Sequence, residues 1–108
     1  MWMATDVEAP DQTAVLKALA EPLRWRIVEL LADEELCVCH LADELGVAQP
    51  LVSHHLKVLR DADLVESEKF RYWTYYRLRT GALDALGQRM AVLISCCPAP
   101  GGRRRPCE

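Results

Sequence analysis

Residues 35–65 read ELCVCHLADELGVAQPLVSHHLKVLRDADLV, and this stretch decides the fold. Two runs of apolar residues repeat at the three- and four-residue spacings of a helix face. The first run is Val38, Leu41, Ala42 and Leu45, and the second is Val52, Leu56 and Leu59. Gly46 is predicted to end the first helix, and the second is predicted to run from near Gln49 to about Ala62. Two helices joined by so short a link are predicted to form a helix-turn-helix unit.

The flanking sequence predicts two more helices before this unit, and a hairpin and a helix after it. Pro22 suits the first turn of a helix, and beyond Asp63 the apolar spacing changes from about 3.6 to about 2. The predicted elements are helices over residues 12–20 and 22–32, strands over 64–68 and 72–79 around a turn at 69–71, and a last helix over 81–94. The order ααααββα predicts a mainly helical α+β fold, the winged helix-turn-helix.

Composition places the chain among ordinary globular proteins. Its 108 residues are 51% hydrophobic and 27% charged, which predicts one domain over residues 12–95, between a flexible N-terminus (1–11) and a Cys- and Arg-rich tail (96–108). The N-terminus lacks the basic and apolar segments of a secretion signal, and no apolar run reaches the about 18 residues of a membrane span. We therefore expect a cytoplasmic protein with no membrane partner.

The net charge of −3 is unevenly distributed along the chain. Residues 49–79 carry six basic and four acidic side chains, so a local basic surface for nucleic acid remains possible. The candidate DNA-contacting residues are Gln49, Ser53, His54 and Lys57 on the second helix of the unit, and Arg71 at the hairpin tip. A merely solvated polar face is the alternative. Four hairpin aromatics are expected to pack rather than to stack on bases, namely Tyr72, Trp73, Tyr75 and Tyr76.

At this point the sequence resembles a known family. QPLVSHHLKVLRDADLV (49–65) followed by RYWTYYRL (71–78) resembles the recognition helix and wing of ArsR/SmtB-type metalloregulatory repressors, and ELCVCHL (35–41) resembles the thiol motif of their arsenite-responsive branch. The resemblance implies a homodimer held by the first and last helices, bound to double-stranded operator DNA and released by As(III) or Sb(III). It implies neither enzymatic activity nor an organic cofactor. Two positions depart from the pattern: Ala48 replaces a helix-capping Ser, and Phe70 a wing glycine.

Cys37 and Cys39 are the first candidate metal ligands. Soft thiolates suit As(III) and Sb(III), and also Cd(II) and Pb(II). Two residues span about 200° of a helix, so we expect that binding both sulfurs to one ion requires the first helical turn to unwind or not to form. The resemblance implies a third ligand three residues after the second cysteine, where this chain has Ala42. His40 is adjacent, but imidazole is a poor substitute for thiolate at As(III). The alternative is that both cysteines are small buried apolar residues.

The tail supplies three more candidate ligands, Cys96, Cys97 and Cys107. Three arrangements stay open: the tail trio alone, the Cys37/Cys39 pair completed by a tail cysteine, or two sites in each subunit. The alternative for the tail is a disordered basic segment with reactive thiols, and the sequence leaves the ligand set open. The family's zinc, cobalt and nickel sensors use Asp, His and Glu in the last helix, and this helix offers Asp84 but no His. A site of that kind is not expected here.

Two alternatives change the signal or the class of protein. The same fold could respond to Cd(II), Pb(II) or thiol oxidation. A thiol enzyme of arsenic metabolism is the remote alternative, because neither cysteine motif lies in a glycine-rich anion-binding loop.

Overall fold

A computed structural model describes residues 11–104 of the chain. In chain order the elements are α1 Gln12–Leu19, α2 Pro22–Asp33, β1 Leu36–Cys37, α3 Val38–Leu45, α4 Gln49–Asp61, β2 Val65–Phe70, β3 Trp73–Leu78 and α5 Thr80–Ser95. The predicted helices and both hairpin strands are confirmed, and with them the mainly helical winged helix-turn-helix. α3 and α4 form the helix-turn-helix, and β2 and β3 form the wing.

The ends of the helices follow the local chemistry that the sequence predicts. At the start of α2, the Glu21 carboxylate accepts the N–H of Arg24 at 2.9 Å, with Pro22 in the first position. α3 ends at Gly46, whose φ of 68° lies in the left-handed region that glycine adopts without a penalty. Ala48 provides no side-chain cap for α4, as expected.

The strand β1 is the element that the sequence did not predict. Glu34 and Glu35 link α2 to β1, and Leu36 and Cys37 then pair antiparallel with β3, opposite Tyr76 and Tyr75. The sheet therefore has three strands in the order β1-β3-β2. A strand of two residues is too short to show an alternating pattern, and its pairing partner lies far along the chain.

The wing turn begins two residues later and ends one residue later than predicted. β2 and β3 stay paired as far as Phe70 opposite Trp73, so the turn consists of Arg71 and Tyr72 rather than residues 69–71. Arg71 has a φ of 58°, a conformation that costs a non-glycine residue about 1–2 kcal/mol. The absence of a wing glycine thus leaves the hairpin intact but places Arg71 in a strained backbone conformation.

The core lies where all the helices meet the sheet. The buried stripe of α4 is confirmed, and side chains from every other helix pack around it. The largest fully buried side chains are Ile27, Leu41, Leu56, Leu59, Leu64, Val15, Val52 and Val65. Within residues 11–104, no helix is both long enough and apolar enough to span a bilayer.

Leu59→Ala is expected to reduce the free energy of unfolding by about 2–5 kcal/mol. The Leu59 side chain is fully buried, so its truncation removes apolar contacts and leaves a cavity. Urea unfolding followed by circular dichroism measures the change. Leu51→Ala on the same helix is the matched control, since Leu51 is exposed and its loss should cost no more than about 0.5 kcal/mol. Equal effects of the two substitutions would contradict this packing of α4.

Candidate nucleic-acid interface and metal centre

The exposed face of α4 carries the predicted DNA-contacting residues together. Gln49, Ser53, His54 and Lys57 are all solvent-exposed, while Val52 on the opposite face is completely buried. The Lys57 ammonium lies 3.3 Å from the Asp61 carboxylate, and both side chains are about two-thirds exposed or more. Because such surface pairs contribute little free energy, Lys57 can exchange this partner for a phosphate.

His55, next to His54, has a different role. Its ring is buried, and Nδ1 lies 3.2 Å from Nη1 of Arg24, whose Nε donates to the carbonyl of Ala18 at 2.6 Å. Burial lowers the pKa of His55, and the Arg24 charge adds to this against the opposing effect of Glu21. A neutral ring can accept the Arg24 hydrogen bond at Nδ1. His55 thus ties the recognition helix to α1 and α2, and only His54 of the pair faces outward.

The tip of the wing presents two residues to solvent. Arg71 is exposed, and its guanidinium lies 5.7 Å from the centre of the Phe70 ring. Tyr72 is 95% exposed, so the expectation that it packs is wrong, because Tyr72 occupies the turn and not a strand. Tyr75 and Tyr76 are partly buried, and Tyr76 packs against the core as expected. Half-exposed Trp73 does not pack fully.

Besides Lys57, two arginines of the 49–79 segment pair with carboxylates. Arg77 donates to Glu66 at 2.6 Å and to Glu68 at 2.7 Å, and these hydrogen bonds raise its pKa above the usual value. Arg79 donates to Asp63 at 2.8 Å. The basic side chains left for phosphate contacts are Lys57, Arg60, Lys69 and Arg71. The local excess of positive charge is therefore concentrated on α4 and the wing tip.

Three candidate metal ligands meet where β1 joins α3. Sγ of Cys37 lies 2.9 Å from Sγ of Cys39 and 3.2 Å from Nδ1 of His40. Cys37 is buried, Cys39 partly buried and His40 exposed. Unwinding of the helix is not needed to bring the sulfurs together, because Cys37 lies just before α3 and not inside its first turn. Cys37 has φ −91° and ψ 170° and precedes α3 in extended backbone, so its sulfur turns toward Cys39 while the first turn stays intact.

The two thiols of this cluster differ in acidity. Burial raises the pKa of Cys37, but a hydrogen bond from the Cys39 thiol and the backbone N–H groups of His40 and Cys39 outweigh it, so the net pKa is lowered. The pKa of Cys39 is raised, because its proton is shared with the Cys37 sulfur. Of the two thiols, Cys37 is therefore the one that ionises more readily, and it lies directly before α3. A thiolate at a helix N-terminus is a reactive metal ligand.

The described tail cysteines do not join this cluster. Cys96 and Cys97 are exposed, and the Cys97 thiol donates to the carbonyl of Leu93 at 3.3 Å. Within residues 11–104, the group of at least three metal-binding side chains consists of Cys37, Cys39 and His40. The third tail candidate, Cys107, lies outside the described residues. His40 was set aside in the sequence interpretation, but the tertiary structure places its ring next to the Cys37 sulfur and makes it a candidate ligand.

Comparison with known proteins places these features in a family. Residues 21–67 match the family model described as bacterial regulatory protein, arsR family. The arsenical resistance operon repressor of Staphylococcus xylosus is 36% identical over 81 residues, which are 75% of this chain and 78% of that protein. The chain belongs to the ArsR family. As a member, it is a transcriptional regulator whose DNA-binding unit is the winged helix-turn-helix.

Solved structures of the ArsR family agree with the fold. The crystal structure of a possible transcriptional regulator for arsenical resistance is 35% identical, with a TM-score of 0.67 over 79% of this chain and 85% of that one. A solution structure of a homodimeric winged helix-turn-helix domain from Mycobacterium bovis, a possible ArsR-family regulator, is 30% identical, with a TM-score of 0.61 over 77% and 74%.

Two substitutions of Arg71 at the wing tip should distinguish the effect of its charge on DNA binding from the effect of its backbone strain on stability. Arg71→Ala and Arg71→Gly both remove the guanidinium, so each should reduce by about 1 the slope of log affinity against log salt concentration. The glycine variant should unfold with a free energy about 1 kcal/mol higher than the alanine variant, because φ 58° costs glycine nothing. Fluorescence anisotropy on a duplex selected by the wild-type protein, with urea unfolding, measures both.

Lys69→Ala is the control for this pair of variants, since it removes a neighbouring cation from a strand residue with no positive φ. It should leave the free energy of unfolding unchanged. Wild-type salt slopes in both Arg71 variants would show that the wing tip makes no phosphate contact.

Proposed function

We propose that the chain is a homodimeric repressor that leaves double-stranded operator DNA when its cysteine thiolates bind As(III) or Sb(III). The observation that carries this proposal is the position of the Cys37 and Cys39 sulfurs, 2.9 Å apart at the junction of β1 and α3. The likeness to an arsenical resistance operon repressor supports arsenic as the signal. No enzymatic activity is part of the proposal, and turnover of arsenate with a thiol reductant would contradict it.

This junction is connected to both elements that face DNA. Cys37 pairs with Tyr75 on β3, one strand of the wing, and α3 starts at the next residue and packs against α4. An ion that draws the two sulfurs into its coordination sphere displaces β1 relative to β3 and α3 relative to α4. Release therefore needs a shift of β1, and α3 need not unwind. A coupling free energy of about 1–3 kcal/mol changes DNA affinity about 5- to 150-fold.

As(III) favours three thiolates, and Cys37 and Cys39 supply two. The third is proposed to come from the tail, from Cys96, Cys97 or Cys107. The tail trio forming a site of its own is the second arrangement. The exposure of Cys96 and Cys97 leaves both thiols accessible to an ion. Arsenite titrations of variants that lack either the Cys37/Cys39 pair or the three tail cysteines distinguish these two arrangements.

Unpartnered apolar surface on α1 and α5 supports the homodimer. A groove of about 410 Å³ lies between these helices and the start of α2. It is lined by Leu16, Leu19, Ala20, Trp25, Leu83, Leu86, Gly87 and Met90. Beyond it, Leu93 and Ile94 of α5 are also exposed. Contiguous apolar surface of this kind is typical of an interface between subunits, and the Mycobacterium bovis relative is homodimeric.

Placing a charge in this groove should disrupt the dimer. Met90→Glu is expected to convert the protein from dimer to monomer at micromolar concentration, because an unpaired carboxylate would be buried in the interface. Sedimentation velocity measures the oligomeric state. Gln88→Glu adds the same charge at another exposed position on α5 and should leave the dimer intact. A dimeric Met90→Glu protein would place the interface elsewhere.

Arsenite should weaken the complex of reduced protein with operator DNA by about 5- to 150-fold. The Cys37→Ser/Cys39→Ser variant should bind DNA like the wild type but lose most of this response, because the ion no longer binds the sulfur of Cys37 and so no longer displaces β1. The variant with all three tail cysteines replaced by Ser shows whether the tail contributes a ligand. Anisotropy titrations with As(III) measure each response. A full response in both variants would contradict thiolate sensing.

The same repressor responding to Cd(II), Pb(II) or thiol oxidation is the second candidate. Among these signals, the short distance between the Cys37 and Cys39 sulfurs favours thiol oxidation, since the two atoms that a disulfide would join are already in contact. Titrations with Cd(II) and Pb(II) under reducing conditions, and with peroxide in the absence of metal, distinguish these signals from As(III).

A further inference from the structure

We propose that Tyr72, flanked by Phe70 and Trp73, enters the minor groove of operator DNA as an apolar wedge that partly unstacks one base-pair step in each half-site. This proposal rests on the proposed binding to double-stranded operator DNA. It goes beyond the charge contact of Arg71, because a ring that parts two base pairs adds affinity without touching a phosphate. Such a ring also selects steps that deform easily.

Three aromatic side chains at the wing tip are exposed to solvent. Phe70 is 61% exposed, Tyr72 95% and Trp73 51%. Phe70 and Trp73 form the last pair of the hairpin, so their rings lie on the same face of it, and Tyr72 lies in the turn between them. Neighbouring apolar side chains that stay exposed beside charged residues are typical of a binding surface.

The turn presents Tyr72 at the end of the hairpin. A positive φ of 58° occurs at Arg71, the first residue of the turn, and not at Tyr72. This is the pattern of a type II′ turn, in which glycine usually occupies the first position. Strained backbone that the flanking strands impose is often found at functional sites. A tyrosine also has only two side-chain torsions, so ordering its ring on binding costs little conformational entropy.

The charges around these rings favour DNA as the partner. Lys69 precedes Phe70, and the Arg71 guanidinium lies 5.7 Å from the centre of the Phe70 ring. The minor groove attracts such cations where it is narrow, and proteins that insert apolar side chains into it place basic residues beside them. A second copy of the wing would instead bring the same cations together, and like charges repel. The tip is therefore complementary to DNA and not to itself.

The length of the wing suits a contact in the groove next to the recognition helix. Arg60 of α4 donates to the Ser67 hydroxyl on β2 at 3.1 Å, so the hairpin starts beside that helix. The six residues of β2 extend about 20 Å. Half a turn of B-DNA, which separates a major groove from the neighbouring minor groove, is about 17 Å. With α4 in the major groove, the wing is long enough to bring Tyr72 to the minor groove.

DNA affinity measured over a range of salt concentrations tests the wedge. Tyr72→Ala should weaken binding to a duplex selected by the wild-type protein by about 5- to 150-fold, as loss of a base–aromatic stack does. The salt slope should keep its wild-type value, because Tyr72 displaces no counterions, whereas Arg71→Ala reduces it. Tyr72→Phe keeps the ring and should bind like the wild type. Wild-type affinity in Tyr72→Ala, or a loss explained by the salt slope alone, would overturn the proposal.

Unstacking is measurable on the DNA of the wild-type complex. The adenine analogue 2-aminopurine is quenched by stacking, so it can be placed at successive positions of the same duplex. Its fluorescence should rise at one step in each half-site, outside the bases that α4 covers, with the wild type and with Tyr72→Phe. Tyr72→Ala should give no rise. If no position responds to the wild-type protein, Tyr72 does not part a base step.

The sequence of the responding step provides a further test. Pyrimidine–purine steps such as TA and CA unstack easily, whereas A-tracts are stiff. Replacing this step by an A-tract should weaken binding of the wild-type protein but not of Tyr72→Ala. Equal weakening of the two proteins would show that a different residue reads the step.

Two further measurements keep this result separate from the proposed function. As(III) should still release Tyr72→Ala from DNA, because the thiols are unchanged. An effect of Tyr72 without any arsenite release would remove only the arsenic proposal, and arsenite release without an effect of Tyr72 only the wedge. Sedimentation velocity should give the same oligomeric state for Tyr72→Ala and the wild type. Loss of the dimer in this variant would assign the aromatic patch to a second copy of the chain and overturn the proposal.

Discussion

The pairing of β1 with β3 is the interaction on which the rest of this structure depends. Two residues, Leu36 and Cys37, join the wing sheet opposite Tyr76 and Tyr75, and the chain enters α3 at once. Arg77 on β3 adds an ion pair across the same edge, with its Nη1 3.8 Å from the Glu35 carboxylate. Because of this pairing, Cys37 contacts the wing through β3 and also lies directly before α3, the first helix of the helix-turn-helix.

A second connection fixes the recognition helix from the other side. Arg24 reaches from α2 to the carbonyl of Ala18 and to Nδ1 of His55 on α4. The described residues leave no buried side-chain nitrogen or oxygen without a hydrogen-bond partner. α4 is therefore held at its buried face by the core and by Arg24, while its exposed face stays free for DNA. Because α4 is supported in this way, it forms a rigid element beside the junction of β1 and α3 at which the thiols lie.

The fold was largely predictable because its signals are local. Helical spacing, Pro22, Gly46 and the change to a period of two each act within a few residues, so they identify the helices and the two long strands. The errors arise where the structure depends on pairing beyond the nearest residues. Hairpin register depends on pairing along the full strand, which moved the turn to Arg71 and Tyr72 and left Tyr72 exposed. β1 is too short to carry a periodic signal.

The sequence by itself determined the family, the helix-turn-helix, the exposed polar face of α4 that is predicted to contact DNA, and the five cysteines as candidate ligands. Only the tertiary structure decided which of those ligands meet. Spacing along an ideal helix separates Cys37 from Cys39, but strand pairing holds Cys37 in extended backbone just before α3 and turns its sulfur toward Cys39 and His40. The physical reason is that ligand geometry depends on backbone dihedral angles, which a partner distant in sequence, here Tyr75, fixes at Cys37.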